Sequence, residues 1–466
     1  MDVRIKFLGG AKSVTGSRYL LEVDHYKLLI DCGLFQGLKD LRLRNWEEFP
    51  INPAEIDAII LTHAHLDHTG YLPKLVREGF SGKIYATEPT IDLVKVLLLD
   101  SAKLQEEEAE YAKKKGYSSH EDPQPLYTVK DAERVFSLLE GVDIEKSIKI
   151  NPQIKATFSL AGHILGACIV SLDLMGSSQR KKIVFSGDLG RYSDPVLDPP
   201  KAITEADILL VESTYGDRDN INASPDLELA EVIKDTQRRG GVVLIPAFTV
   251  GRTQLVLYYL YTLIKEGKIP KIPVYIDSPM AIKVNDIYKR YFDFHKLDEI
   301  QLSEHDSPLN FKQLHYRKEQ EESMGLNFID DNAIIISASG MVTGGRILHH
   351  LSNRLKNPQD TVLFVGFQAE GTRGRKILDR QEPIKIFGMS HQIKCDVQYI
   401  EGLSAHADRG ELLHWLSQFD SEPKMTFIIH GEEKSALGFQ ASIKEKLGWD
   451  AIIPEYMESF KLFDNI

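Results

Sequence analysis

Cysteine is scarce: three in 466 residues, at Cys32, Cys168 and Cys395. Thiols so few and so far apart form neither a disulfide framework nor a cysteine-ligated zinc spacing. A stapled secreted scaffold is excluded, and a reducing cytosol is the expected setting. Long apolar runs are lacking too. None approaches the ~20 residues of a membrane span, and the first residues, MDVRIKFLGG, lack the charged-then-apolar order of a leader. A cytoplasmic chain with no membrane partner is therefore expected. Positive charge is not in excess, since the formal net charge is −12. This argues against nucleic-acid binding by bulk charge, while a concave site with locally focused positive charge stays open. Internal repeats and low-complexity segments are absent.

What is present begins with length. A chain of this size exceeds what one core usually supports, so two domains are predicted. The first sixty residues alternate like strands of a sheet, in VRIKFLGG, RYLLEVDHYKLLIDCG and AIILTH. The last of these runs, Ala58-Ile59-Ile60-Leu61, is short and apolar and ends at Thr62-His63-Ala64-His65-Leu66-Asp67-His68-Thr69-Gly70. Four ligand-type side chains within six residues at a strand exit form a compact metal-ligand cluster. His63 and His65, two apart, point the same way from an extended segment. Asp67 and His68 are neighbours that diverge, so they suit a second ion.

Other strand ends offer the same residue types. His163 follows IKATFSL within Ala161-Gly162-His163, and Asp188 follows KKIVF within Ser186-Gly187-Asp188. Flanking glycines allow a sharp turn and close approach to an ion. Asp31 closes an earlier strand, where it is either a turn former or a group orienting a ligating histidine. Glu212, His406 and His430 lie at later strand ends. Imidazole and carboxylate without cysteine, in more than four ligands, fit a two-ion hydrolytic site better than a closed structural zinc. His63, His65 and His163 serve one ion, Asp67, His68 and His430 the other, and Asp188 bridges. The other nine histidines, among them His120, His305 and His350, are read as surface or core residues.

From about Asp217 the pattern changes to regularly alternating helix and strand, which predicts a parallel, Rossmann-like sheet. No G-x-G-x-x-G follows its first strand, so a dinucleotide is not indicated. From about Cys395 the earlier style returns, so the second domain reads as inserted into the first. The boundaries are 1–216, 217–394 and 395–466. Three segments of the insert, each after an apolar strand, look suited to phosphate: PAFTVGR with Arg252, SASGMVTGGR with Ser337, Ser339 and Arg346, and GFQAEGTRGRK with Arg373. Ordinary capping and turn chemistry is the alternative for each.

Taken together, these motifs resemble the metallo-β-lactamase fold in its β-CASP branch. Asp31 stands at the first motif, His63 to His68 at the second, His163 at the third and Asp188 at the fourth. Glu212, His406 and His430 stand at motifs A, B and C. The chain is most similar to compact bacterial and archaeal homologues of the endonuclease subunit of the cleavage and polyadenylation specificity factor, without an N-terminal RNA-binding extension. The resemblance implies an α/β fold, an αββα sandwich with an inserted Rossmann-like β-CASP domain. It also implies two zinc ions, with manganese as an alternative, and a ribonuclease acting on single-stranded RNA through a metal-activated water. Histidine at motif C favours RNA over DNA. Catalysis would rest on Asp67 and on His406, paired with Glu212, protonating the leaving group to give 5′-phosphate and 3′-hydroxyl ends. Endonuclease action is expected, with 5′-exonuclease action open. Oligomeric state is also open, a homodimer included. The rivals are a small-molecule hydrolase of the same fold, a non-catalytic RNA scaffold and a DNA nuclease.

Overall fold

A computed structural model describes residues 1–115, 123–176, 179–219, 224–297 and 306–463. His120 and His305 lie outside them. The chain forms two compact units, one of Met1–Asp219 with His406–Ile466, the other of Asn220–Ala405.

The first unit carries two seven-stranded sheets. Its leading strands are β1 (Val3–Phe7), β2 (Tyr19–Val23), β3 (Tyr26–Ile30), β4 (Ala58–Ile60), β5 (Lys83–Thr87) and β6 (Leu139–Val142). β7 (Ile148–Lys149), β8 (Ile154–Leu160), β9 (Cys168–Met175), β10 (Arg180–Phe185) and β11 (Ile208–Glu212) follow. Eight strands of the second unit then intervene: β12 (Val242–Pro246), β13 (Val274–Asp277), β14 (Leu314–Tyr316), β15 (Ala333–Ser337), β16 (Thr361–Phe364), β17 (Ile384–Ile386), β18 (Met389–His391) and β19 (Asp396–Tyr399). β20 (Met425–Ile429), β21 (Ala451–Ile452) and β22 (Ser459–Phe463) return to the first.

One sheet of the first unit has the order β22-β1-β2-β3-β4-β5-β6, the other β21-β20-β11-β10-β9-β8-β7. Their inner faces share one core, in which Ile5, Phe7, Leu28 and Ile60 of the first sheet join Phe158, Val170, Phe185 and Phe427 of the second. This is the predicted sandwich. Burial explains the strand textures. β1 alternates buried and exposed positions, whereas β4 and β11 are buried throughout, as strands covered on both faces must be. β20 pairs in parallel with β11 from Ile208↔Met425 to Glu212↔Ile429. The closing segment is thus an interior strand of the second sheet.

The second unit has a six-stranded sheet, order β14-β13-β15-β12-β16-β19, and every pairing in it is parallel. β12 and β15 are wholly buried. The boundary expected at residue 395 is displaced. β19 pairs with β16 from Thr361↔Asp396 to Phe364↔Tyr399, so the return to the first unit falls at His406. The short polar-flanked run DVQY resembles either unit's strands equally, and only pairing assigns it.

Candidate metal centre

The candidate ligands collect where strands of the first unit end, the usual place for chemistry in sheets of this kind. Residues 61–65 leave β4, and Leu66–Thr69 then forms a single helical turn carrying Asp67 and His68. Three side-chain clusters result, each with donor atoms within 4.8 Å: His63, His65, His163 and Asp188; Asp67, His68 and His430; and Asp188, Glu212 and His406.

In the first cluster, His65 Nδ1 lies 3.2 Å from both His63 Nε2 and His163 Nε2. Asp188 Oδ2 is 3.5 Å from His63 Nε2 and 3.6 Å from His163 Nε2. In the second, His430 Nε2 stands 3.4 Å from Asp67 Oδ2. Asp188 Oδ1 is 3.4 Å from both His68 Nε2 and His430 Nδ1. The two oxygens of one carboxylate therefore face two different sets of histidines.

Electrostatics match this division. Burial, with neighbouring His68, holds His63 well below the usual imidazole range, and burial pushes His65 down to about 4. Both rings are thus neutral, the form that ligates metal. Neutral nitrogens facing one another at 3.2 Å direct lone pairs to a common point, which suits a divalent cation. The donor set of imidazole and carboxylate fits that ion too. This cluster could hold a metal ion.

The surrounding backbone is tightly specified. Asp31, in a left-handed conformation with φ 60°, accepts from the Thr62 amide at Oδ1 and from Thr62 Oγ1 at Oδ2, each 2.8 Å. Its Oδ2 also lies 2.7 Å from His68 Nδ1. Asp31 therefore sits at a turn and also touches the His68 ring, as both readings of it require. Burial would lower His68, but Asp188 and Asp31 together carry it above the usual range. Gly33 is pressed against the ligand loop, where a Cβ would fall 1.6 Å from the Asp67 carbonyl oxygen. The Ser17 amide donates to that same oxygen at 2.8 Å.

Beside these clusters, buried Glu212 accepts from the Leu189 amide at 2.6 Å. Its Oε1 and Oε2 lie 3.2 and 3.1 Å from His406 Nδ1. Burial opposes a charge on His406, but Glu212 outweighs it and raises the ring above its ordinary value. His406 follows a short 3-10 turn (Glu401–Leu403) and forms an isolated bridge with Gly190, rather than ending a strand as its surroundings suggest.

Residues 20–211 match the metallo-beta-lactamase superfamily domain, 253–377 the Beta-Casp domain and 390–454 the Zn-dependent metallo-hydrolase RNA specificity domain. A Thermus thermophilus protein named ribonuclease TTHA0252 is 35% identical over 93% of this chain and 94% of its own length. The chain belongs to the β-CASP family. Other β-CASP relatives are named transcription termination factor FttA. Those of Methanocaldococcus jannaschii and Methanosarcina mazei are 31% and 33% identical, over 99% and 96% of this chain and 72% and 69% of their own lengths. A solved Enterococcus faecalis protein of unknown function shares the fold, with TM-score 0.50 and 13% identity over 99% of this chain and all of that one.

The β-CASP unit places the five candidate phosphate anchors less simply than the sequence suggests. Arg252 is 5% exposed and donates to the Leu403 carbonyl. Ser337 is 1% exposed and donates to the Asp277 carbonyl at 3.1 Å. Arg346 Nη1 meets Asp277 Oδ1 at 2.7 Å, and its Nη2 meets the Lys318 carbonyl at 2.7 Å. These three act inward, tying strand ends to loops. A lone arginine or serine beside a turn does not reveal the buried partner that claims it. Ser339 and Arg373 stay closer to the surface. Ser339 Oγ accepts from the Thr343 and Gly344 amides, and Arg373 donates to the Lys385 and Thr343 carbonyls. The unforeseen pair is buried Asp277 with His350, Oδ2 to Nε2 at 2.7 Å.

Among the described residues, no helix is long and apolar enough to cross a membrane.

Proposed function

We propose that this chain is a two-metal ribonuclease that hydrolyses RNA phosphodiester bonds and leaves 5′-phosphate and 3′-hydroxyl ends. The single observation that carries the reading is Asp188, with Oδ2 on the His63 and His163 side and Oδ1 on the His68 and His430 side. His63, His65 and His163 with Asp188 would hold one ion, and Asp67, His68 and His430 with Asp188 the other. Zinc suits these ligands, and manganese is the alternative. What such ions supply when bound is Lewis acidity: water deprotonates near neutral pH, and charge building on the phosphate oxygens is offset.

The side chains do the rest. Asp67, with 21% of its side chain exposed against 1% for Asp188 and none for Glu212, accepts a hydrogen bond from the incoming water and orients it. Glu212 engages His406 through Nδ1, so Nε2 is the atom that gives its proton to the departing 3′-oxygen. A histidine raised by a buried carboxylate holds that proton at neutral pH and is a fitting general acid. The family's RNA specificity domain and the ribonuclease name of the Thermus relative support RNA as the polymer. Substrate contacts by Ser339 and Arg373 and a cytoplasmic setting are part of the proposal.

The test is cleavage of end-labelled single-stranded RNAs bearing 5′-triphosphate, monophosphate or hydroxyl, in zinc and in manganese, with matched DNA in parallel. Cleavage of RNA with 5′-phosphate products supports the reading, and cleavage of DNA alone overturns it. Internal products mark an endonuclease; release of mononucleotides from the 5′ end marks an exonuclease.

A further inference from the structure

β17 and β18 form a hairpin whose last pair is Ile386↔Met389. The two residues between them, Phe387 and Gly388, have φ values of 51° and 78°. Positive φ at both central positions is the type I′ turn, which selects asparagine, aspartate or glycine at the first of them. A bulky aromatic there is a backbone outlier, and such strain persists where something else retains it. Core packing is not the reason. Ile384 and Ile386 supply the hairpin's share of the core, whereas Phe387 is 42% exposed.

Two further features surround that ring. His349 stands exposed on the helix Ile347–Arg354, with ring centroid 4.6 Å from that of Phe387 and planes 34° apart. The two rings make one small aromatic surface. It is carried by a basic stretch in an acidic chain: residues 373–394 hold Arg373, Arg375, Lys376, Arg380, Lys385 and Lys394 against only Asp379 and Glu382. Arg373 Nε donates to the Lys385 carbonyl at 3.0 Å, and no carboxylate pairs with its guanidinium among the described residues. Lys385 is exposed.

We propose that Phe387 and His349 form a base-stacking platform for single-stranded RNA, with Arg373 and Lys385 beside its phosphates. The platform rests on the ribonuclease reading and adds a binding site in the second unit, built from none of the candidate metal ligands. Stacking tolerates any base, since every base has a π-face, and flanking cations supply a salt-dependent attraction to the backbone. Partial burial and neighbouring His350 hold His349 below the usual imidazole range, which leaves it an uncharged stacking ring near neutral pH.

The strained turn makes the proposal separable from a packing role. In the full-length protein, with His406→Ala added to prevent cleavage, binding of a fluorescent oligoadenylate of about ten nucleotides is followed by anisotropy. Phe387→Asn places a residue suited to positive φ at the tip, so Tm should stay level or rise while Kd rises between about five- and a hundredfold. Phe387→Trp should restore binding, and Lys385→Ala should flatten its salt dependence. Unchanged affinity in both Phe387→Asn and His349→Ala overturns the platform, as does a fall in Tm that tracks the loss. Loss of self-association in sedimentation with RNA affinity intact would assign the surface to a second copy of the chain instead. If the parent protein binds no RNA at all, the ribonuclease reading itself fails, an outcome distinct from variants that bind as well as the parent.

Discussion

Asp31 Oδ2 lies 2.7 Å from His68 Nδ1, and the same carboxylate takes both the amide and the hydroxyl of Thr62. One buried group thus fixes the ring of a candidate metal ligand and the strand end that leads to His63, His65 and Asp67. Asp31→Ala should leave the sandwich folded yet lower metal affinity ~10–100-fold. Metal titration by calorimetry measures this. Affinity equal to that of the parent would show that His68 is held by other contacts.

Gly33 makes a harsher version of the same test. An added Cβ falls 1.6 Å from the Asp67 carbonyl oxygen, so Gly33→Ala must displace the loop bearing Asp67 and His68. A shift of that order costs about a hundredfold in turnover, readable as kcat with metal saturating.

The pairing of His406 with Glu212 predicts a particular kinetic signature. His406→Ala should lower kcat by ~10²–10⁴ with little change in KM, and Glu212→Gln should follow it in the same direction. Metal content, measured by emission spectroscopy, should stay near that of the parent in His406→Ala. Asp67→Ala should abolish cleavage and lose metal as well.

Chelation should stop turnover and also lower Tm, because ions bind only the folded centre. Linkage gives about 2.7 kcal/mol of stabilisation at a free metal concentration of 100 Kd. A Tm unmoved by chelator while metal leaves would mean that the unfolded chain binds ions equally well.

Arg346 and Asp277 predict a stability effect at a segment whose sequence suggests a phosphate anchor or ordinary capping. Arg346→Glu sets a second carboxylate, on a partly exposed side chain, against buried Asp277 and should cost about 3 kcal/mol. Burial pushes the Asp277 carboxyl up, but hydrogen bonds from His350 and Ser323 outweigh it and hold the group below its ordinary 3.8. A depressed carboxyl contributes stability that is complete above the unfolded value and lost as pH falls through the folded one. The protein should therefore lose Tm below about pH 4, and Asp277→Asn should start lower and show a flatter acid limb.

That His63 to His68, His163 and Asp188 come together was legible because they sit at the ends of short apolar strands, where type and spacing set them apart. The αββα sandwich and the parallel insert follow from the switch between alternating strands and regular helix–strand alternation. What stayed hidden is what depends on a partner distant in sequence. Arg252, Ser337 and Arg346 read as phosphate anchors because nothing near them shows that Leu403 and Asp277 engage them. His350 read as inert for the same reason. Strand β19 carries no mark of the sheet it joins, so the boundary moved from 395 to 406. Nothing in the sequence singles out Phe387, whose positive φ belongs to the folded hairpin.

The parallel pairing of β11 with β20 has a further consequence for synthesis. A ribosome completes Glu212 long before it reaches Met425, and every residue of the β-CASP unit emerges in between. Until then the second sheet ends at β11 and His430 does not exist to face Asp67. A chain at that stage carries most of the candidate ligands but not the last of them. The candidate centre closes only once β20 has docked beside β11.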